Sequence, residues 1–443
     1  MSQKLGSCSW SLAAYGRLLR ANRDFRLLWT AQIVSEIGDW FYTVALYSLL
    51  LELTGKASAV GLAVVLQVLP QVFAAPSAGV INDRLPRRAV MIFADLCRAL
   101  IVLSMLLVRS AQMVWLVWVL LFLETIMWAL FEPGRSALIP RLARSDDERL
   151  VANALSSTTW AFNLAVGAGL GGLVAYAFGR PTVFVLNALS FVASALLIAS
   201  MRVKETHYRD LPAFRAADLV DFKPVLEGVR YVTRDPRRVA TLMVKAGMGL
   251  LGANLVILPI FGERIFPMAV HLPGTQAHTS GAGTLSMSLL FGARGVGSLA
   301  GSYFSGAWAR NYESRMRVGI ACGFFLTFLS FAGLSVAPNL GLACLAVALG
   351  QVGTSIAWVF STTILQGLTE DRFRGRVFSA DFAGLFLSMS AVSFLAGRLV
   401  DQGISVRVIA FATALIAILP AVCWIRAQRH FRPANAVDSA GAK

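Results

Sequence analysis

Residues 182–201 read TVFVLNALSFVASALLIASM, twenty residues without one charged side chain. A helix of that length rises about 30 Å, which is the thickness of the hydrocarbon core of a bilayer. The stretch therefore predicts a transmembrane helix, and eleven further stretches of similar character accompany it. The twelve predicted spans are residues 27–51, 57–81, 89–108, 113–131, 151–178, 182–201, 239–262, 284–307, 318–337, 341–366, 377–400 and 408–426.

The composition agrees with a membrane protein. Of the 443 residues, 57% are hydrophobic and 14% are charged, whereas a soluble domain is roughly 25% charged. This excludes a soluble enzyme of average surface, a disordered chain and a collagen. The five cysteines are scattered and are interpreted as small apolar fillers.

The basic residues fix the predicted orientation. The net charge is +16. If both termini lie on one side, 31 of the 40 Lys and Arg residues fall in segments on that side, six on the other and three within spans. This asymmetry is the positive-inside rule, so we expect a multi-pass protein of the inner (plasma) membrane with both termini cytoplasmic. The excess charge then sets topology, and no nucleic-acid partner is expected.

One long loop divides the spans into six and six. We predict a cytoplasmic segment (1–26), a six-helix bundle (27–201), a linker with a short amphipathic helix (202–238), a second bundle (239–426) and a tail (427–443). The halves show a weak repeat, since Arg-Asp-Phe-Arg precedes the first span and Arg-Asp-Pro-Arg precedes the seventh. The predicted fold is thus an all-α membrane protein of twelve helices in two pseudo-symmetric bundles, typical of a secondary transporter whose site lies near the midplane.

The loop after the second span carries a recognisable motif. Residues 79–88 read GVINDRLPRR, which resembles the signature of the major facilitator superfamily, with Pro86 where the family usually has glycine. The small Gly79 suits close helix approach, and the resemblance implies that Asp83 contacts the start of the eleventh helix and closes the cytoplasmic side. The predicted gate residues are Gly79, Asp83, Arg84, Arg87, Arg88, Glu132, Arg374 and Arg376.

Three other stretches resemble the drug-exporter branch of that superfamily, which includes macrolide efflux proteins and the enterobactin exporter. They are SEIGDW at 35–40, FEPGRSALIP at 131–140 and RGRV at 374–377. The stretch GAGLGG at 167–172 resembles the antiporter signature, with Ala168 in place of its proline. An alternative is that this stretch is a small-residue packing face between helices.

Several predicted spans contain carboxylates. A charge at the bilayer centre costs at least about 2.5–3.5 kcal/mol, so each one that is retained is a functional candidate. Glu36 and Asp39 lie about 13 and 18 Å into the first span, and Glu124 about 16 Å along the fourth. We predict these three as proton-coupling residues, with Asp39 as the coupling carboxylate. The alternative is a buried structural pair, such as Asp39 with Lys245 or Arg294.

Aromatic and basic residues complete the predicted site. The resemblance implies that the first, fourth, seventh and tenth helices line a central cavity. The predicted substrate contacts are Trp40, Tyr42, Trp128, Lys245, Arg294 and Trp358, although each aromatic side chain has ordinary core packing as its alternative. We expect Asp95 and Arg98, three residues apart, to pair with each other, and Asp381 to join the gate cluster.

The chain lacks the ATP-binding P-loop and the common hydrolase and zinc-protease motifs. We therefore expect no cofactor and no enzyme activity. We also expect no metal site, because His271 and His278 have no further ligands nearby in the sequence. The hypothesis is a monomeric proton-coupled exporter of an amphiphilic small molecule (a drug, macrolide or siderophore-like compound), with protons and the bilayer as its other partners. Alternatives are lysophospholipid transport, small-molecule import, a non-transporting receptor or scaffold, and a membrane enzyme.

Overall fold

The computed structural model describes residues 12–203, 205, 223–268, 282–309, 312–370 and 373–431. His271, His278, most of the predicted linker and the tail beyond residue 431 lie outside these ranges. No strand occurs in the described residues.

The described chain forms fifteen α-helices. They are α1 (Leu12–Ala21), α2 (Arg23–Thr54), α3 (Ala57–Arg84), α4 (Arg87–Ser104), α5 (Val114–Leu142), α6 (Asp146–Phe178), α7 (Arg180–Ala199), α8 (Lys223–Thr233), α9 (Pro236–Gly249), α10 (Asn254–Ile260), α11 (Ala282–Ala309), α12 (Glu313–Val336), α13 (Leu340–Leu368), α14 (Arg374–Asp401) and α15 (Val406–Ala427).

Within the described ranges, ten helical segments are long and apolar enough to cross a bilayer. Two more helices, α2 with 32 residues and α11 with 28, have sufficient length but a more polar composition. The helical membrane class predicted from the sequence is therefore confirmed.

The seventh predicted span differs from the expectation of one continuous helix. The chain leaves α9 after Gly249 and enters α10 at Asn254, and the intervening turn is closed by the Gly252 N–H donating to the Gly249 carbonyl at 2.9 Å. A Cβ added to Gly249 would lie 2.0 Å from Ser388 Oγ and 2.5 Å from the Leu385 carbonyl oxygen. The glycines thus allow close packing on α14, and their low helix propensity explains why the break falls here.

The described residues group into two compact units. The first takes its residues from Met1–Thr54, Phe73–Asp221 and Pro267–Gly292, and the second from Gly55–Val72, Phe222–Phe266 and Ala293–Lys443. In the first unit α2 packs on α6 and α7, and α4 packs on α5 and α7. In the second unit α12 packs on α13 and α15, and α9 packs on α14.

Candidate functional site

Two of the three predicted coupling residues, Glu36 and Asp39, lie on α2 beside a contact between this helix and α7, and the third, Glu124, lies on α5. A Cβ added to Gly38 would lie 2.3 Å from both Asn187 Oδ1 and Ser190 Oγ. A larger residue at position 38 would therefore displace the Asn187 and Ser190 side chains from their present positions. The contact fixes the height of the neighbouring Asp39 within the first unit.

A single guanidinium organises the carboxylates. Arg98 on α4 is 1% exposed, donates from Nη2 to Asp95 Oδ1 at 2.6 Å and lies 3.5 Å from Asp39 Oδ2. Its charge also acts on Glu124 of α5. Asp95 accepts a second hydrogen bond from the Ser194 hydroxyl at 2.6 Å. The expected pairing of Asp95 with Arg98 is confirmed, and the Asp39 contact is one that the sequence did not predict.

Aromatic rings cover the same guanidinium. The Arg98 Cζ atom lies 4.0 Å from the ring centroid of Phe191 and 5.1 Å from that of Phe131. Cation–π contacts of this kind strengthen when water is excluded. The arginine is thus held as a fixed positive charge in the interior of the first unit.

The other carboxylates of this unit are held differently. Glu36 accepts hydrogen bonds from Gln32 Nε2 and Asn163 Nδ2, both at 2.8 Å. Glu132 is bound by the fork of Arg135, with Oε2···Nε at 2.9 Å and Oε1···Nη2 at 2.6 Å.

Glu124 of α5 interacts with the charge of Arg98 without direct contact. Its carboxylate makes no hydrogen bond or ion pair with any residue that the structure describes.

Negative charge exceeds positive charge in this cluster. Five carboxylates face two guanidiniums, which gives a formal charge of −3 if every acid is ionised. The acids are Glu36, Asp39, Asp95, Glu124 and Glu132, and the bases are Arg98 and Arg135. Since unpaired charge is costly away from water, such a cluster has the chemistry to bind protons or an organic cation.

A small cleft borders the cluster. The Asp39 side chain retains 27% exposure, compared with 0% for Asp95. Asp39 is therefore the carboxylate of the Arg98 group that has access to the cleft. The residues lining the cleft are Gln32, Ser35, Glu36, Asp39, Arg98, Trp128, Phe131, Glu132 and Arg135.

The three aromatic residues predicted to contact substrate in the first unit lie in different environments. Trp128 lines the cleft. The ring of Trp40 packs edge-on against Trp160 at 6.0 Å, and Tyr42 packs against Phe184 at 5.8 Å. Trp40 and Tyr42 thus have the packing role that was their alternative, because the helical repeat turns both side chains toward neighbouring helices.

In the second unit, Lys245 forms an ion pair with Asp381, and both side chains are 1% exposed. The Lys245 ammonium also lies 4.5 Å from the ring centroid of Trp358 and 4.8 Å from that of Phe382. The expectation that Asp381 joins the gate cluster is wrong, because its side chain is buried against Lys245. Arg294 donates from Nε to Gln351 Oε1 at 3.1 Å.

The predicted gate residues Asp83, Arg87 and Arg88 make contacts at the ends of helices in the first unit. Asp83 lies 3.4 Å from Arg87 Nη2. The backbone N–H groups of Arg87 and Arg88 donate to the Glu205 carboxylate at 2.7 and 3.0 Å, which caps the start of α4. Arg88 Nε donates to the Ile198 carbonyl at the end of α7 at 3.0 Å.

Two of the predicted gate residues, Gly79 and Glu132, differ from the expectation. Among the described residues, a Cβ at Gly79 would meet no atom within 4 Å, so the expected close approach is not made here. Glu132 belongs to the acidic cluster through Arg135, as described above. Arg84 and Arg374 both have interaction partners.

In the second unit the linker helix α8 packs on the start of α14. Arg376 forms an ion pair with Glu227, and the rings of Tyr231 and Phe373 stack at 4.2 Å. The Tyr231 hydroxyl accepts the Glu370 N–H at 3.2 Å. These contacts show that the predicted amphipathic helix of the linker exists and buries its apolar face on this unit.

The glycine-rich stretch of α6 is a packing face in this structure. A Cβ at Gly167 would lie 2.8 Å from Trp40 Cβ, and one at Gly171 would lie 2.6 Å from Phe41 Cα. One at Gly172 would lie 2.1 Å from Ser288 Cβ. The stretch therefore allows α2 and the first turns of α11 to contact α6 closely.

Carboxylates among apolar membrane helices mark a functional site by their cost, but they do not by themselves define the class of protein. Comparison with known proteins gives the family, because residues 19–442 match the family described as transmembrane secretion effector. The chain belongs to this family of major facilitator transporters and to its efflux branch. The expectation that it is not an enzyme is confirmed by this membership.

Two relatives illustrate the similarity. An uncharacterised major-facilitator-type transporter, YfiS of Bacillus subtilis, is 27% identical over 72% of this chain and 74% of its own length. Macrolide efflux protein A of Streptococcus pyogenes is 25% identical over 85% of this chain and 89% of its own length.

The fold also resembles that of solved structures. A crystal structure of a POT family transporter in complex with a thioalcohol-conjugated peptide has a TM-score of 0.72 at 12% identity, covering 93% of this chain and 97% of that chain.

Proposed function

We propose that the chain is a proton-coupled secondary active transporter that exports an amphiphilic small molecule by alternating access. The observation that carries this proposal is the cluster of five carboxylates around two arginines in the first unit. Membership in a transporter family and similarity to a protein named for macrolide efflux support export of a drug, macrolide or siderophore-like compound.

The proposed architecture adds α2 and α11 to the ten apolar segments, which gives twelve spans. At 1.5 Å per residue these two helices are about 48 and 42 Å long, enough to cross the bilayer. The linker around 202–238 then divides a bundle at 27–201 from one at 239–426. Both termini (1–26 and 427–443) are placed in the cytoplasm by the positive-inside rule, in a monomer of the inner (plasma) membrane.

Asp39 is the proposed coupling carboxylate because it is the more loosely held, and the more exposed, of the two acids that contact Arg98. Its contact with Arg98 is 3.5 Å long, whereas Asp95 holds the same guanidinium at 2.6 Å. Its partial exposure lets water deliver a proton. Glu36, fixed by two amide donors, and Glu124 are the proposed helpers, because their charge repels that of Asp39 and favours protonation.

The substrate that fits this cluster carries a positive charge beside an apolar body. A cation entering the cleft neutralises charge that protons otherwise neutralise, so proton and substrate compete for one site, as exchange requires. Trp128 is the proposed aromatic contact in the cleft. The proposed substrate contacts in the second unit are Lys245, Arg294 and Trp358. The proposed gate consists of Asp83, Arg84, Arg87, Arg88, Arg374 and Arg376.

The experiment is transport by the purified protein in liposomes with an imposed pH gradient. The panel contains cationic, neutral and anionic amphiphiles of similar size. We expect movement of the cationic member against its gradient when protons run the other way, and its loss when a protonophore collapses the gradient. Transport of the whole panel without dependence on pH would refute the proposal.

A further inference from the structure

The amphipathic helix α1 and the first turn of α2 form a basic corner, defined by Arg17, Arg20, Arg23 and Arg26. The segment from residue 12 to residue 26 contains these four arginines and one acid, Asp24, which leaves a formal charge of +3. The corner ends at Arg26, the residue before the first predicted span, so we expect it to lie at the level of the lipid headgroups.

Helix α1 is firmly attached to the first unit. Leu18 is 4% exposed and belongs to the core that also contains Leu28 and Met91. Asn22 donates from Nδ2 to the Leu142 carbonyl at 2.6 Å and accepts the Phe25 N–H at 3.0 Å, so it caps α2 and joins the corner to α5.

Two arginines hold the last turn of α1. Arg144 Nη2 donates to the Ala21 carbonyl at 3.0 Å, and Arg26 Nη1 donates to the Leu19 carbonyl at 2.8 Å. Cations at a helix C-terminus are stabilising. The corner is therefore a built feature of the fold rather than a loose arm.

The outward face of this attached helix carries two guanidiniums. Arg17 and Arg20 are three residues apart, share one face of α1 and are exposed. Neither makes a hydrogen bond or ion pair within the part of the chain that the structure describes. Next to them, Arg23 is 3.6 Å from Asp24 and its side chain is 47% exposed.

We propose that the basic corner binds the phosphodiester headgroup of an anionic phospholipid. Guanidinium groups bind phosphate oxygens in a bidentate way, and each basic residue near an anionic membrane surface contributes about 1 kcal/mol. Of this proposal, only the assignment of the lipid to the cytoplasmic leaflet rests on the proposed function. Binding itself needs no transport, so its failure is distinguishable from failure of the exporter proposal.

The test measures phosphatidylglycerol and phosphatidylethanolamine binding to the purified full chain by native mass spectrometry. The wild-type protein is expected to prefer phosphatidylglycerol, and the Arg17→Gln/Arg20→Gln variant to bind it about 25-fold more weakly, about fivefold for each arginine. The control is Arg109→Gln, an exposed arginine in the loop between α4 and α5, which should bind as the wild type does.

Two further arms complete the test. Preference for phosphatidylglycerol in the wild type should weaken with added salt, because exposed charges are screened, and inorganic phosphate at matched ionic strength should not displace the lipid. Unchanged affinity in the double glutamine variant, salt-independent preference, or displacement by inorganic phosphate would each overturn the proposal.

Discussion

Removal of Arg98 is the perturbation that tests the acidic cluster most severely. The Arg98→Gln variant keeps a polar side chain but leaves Asp95, which is 0% exposed, and Asp39 without their shared positive charge. Breaking a buried ion pair by removing one partner costs about 3–5 kcal/mol. We expect the free energy of unfolding in mixed micelles, measured by titration with SDS, to fall by that amount.

A second substitution separates charge from packing. In Arg98→Gln/Asp95→Asn the strongest uncompensated charge is gone, so most of the loss should be recovered and about 1–2 kcal/mol should remain for the missing hydrogen bonds. The single variant should also lose more stability at high pH than at low pH, since protonation removes the charges left behind. If the two substitutions simply add, or if the single variant is as stable as the wild type, the carboxylates are not organised around Arg98.

Two further predictions concern the second unit and the α2–α7 contact. Lys245→Met should lower the free energy of unfolding by about 3–5 kcal/mol, because it leaves the buried Asp381 carboxylate without its positive partner. The double variant Lys245→Met/Asp381→Leu should recover most of this loss. Equal stability of the single and double variants would contradict a compensated pair. Gly38→Ala should cost about 1–3 kcal/mol by overpacking and lower transport. Gly306→Ala on α11, whose added methyl meets open space, should behave as the wild type does in both assays.

Much of the fold could be predicted because the bilayer restricts what a sequence can do. Apolar runs of about twenty residues must be helices in lipid, where every backbone polar group needs an internal partner. The break between Gly249 and Asn254 escaped prediction, because the run through it stays apolar and glycine alone does not show where a neighbouring helix will pack.

Within the acidic cluster, the sequence predicted a short-range pair but not the long-range contacts. Depth along a helix selected Glu36, Asp39 and Glu124 as candidates, and the spacing of three residues predicted the pair of Asp95 with Arg98 that the structure shows. The contact of Asp39 with Arg98 joins residues 59 apart, and Lys245 with Asp381 joins residues 136 apart. Such pairs depend on how helices pack, which no local pattern in one sequence encodes.

The same limit explains the aromatic residues. Trp40 and Tyr42 lie within three positions of Asp39, so their place in the sequence suggested a shared cavity. A helix turns about 100° per residue, and these side chains point at α6 and α7 instead. Trp128 on α5 faces the cleft, and only the packing of helices distinguishes it from the other two.

The most direct test of proton coupling compares gradient-driven transport with substrate counterflow for Asp39→Asn in liposomes. Counterflow needs only binding and the conformational change, whereas gradient-driven export also needs the proton site. We predict that Asp39→Asn retains counterflow and loses the response to pH, while Glu52→Gln, which neutralises an exposed acid paired with Arg180 at 2.7 Å, retains both. Gradient-driven export with normal pH dependence in Asp39→Asn would contradict the account.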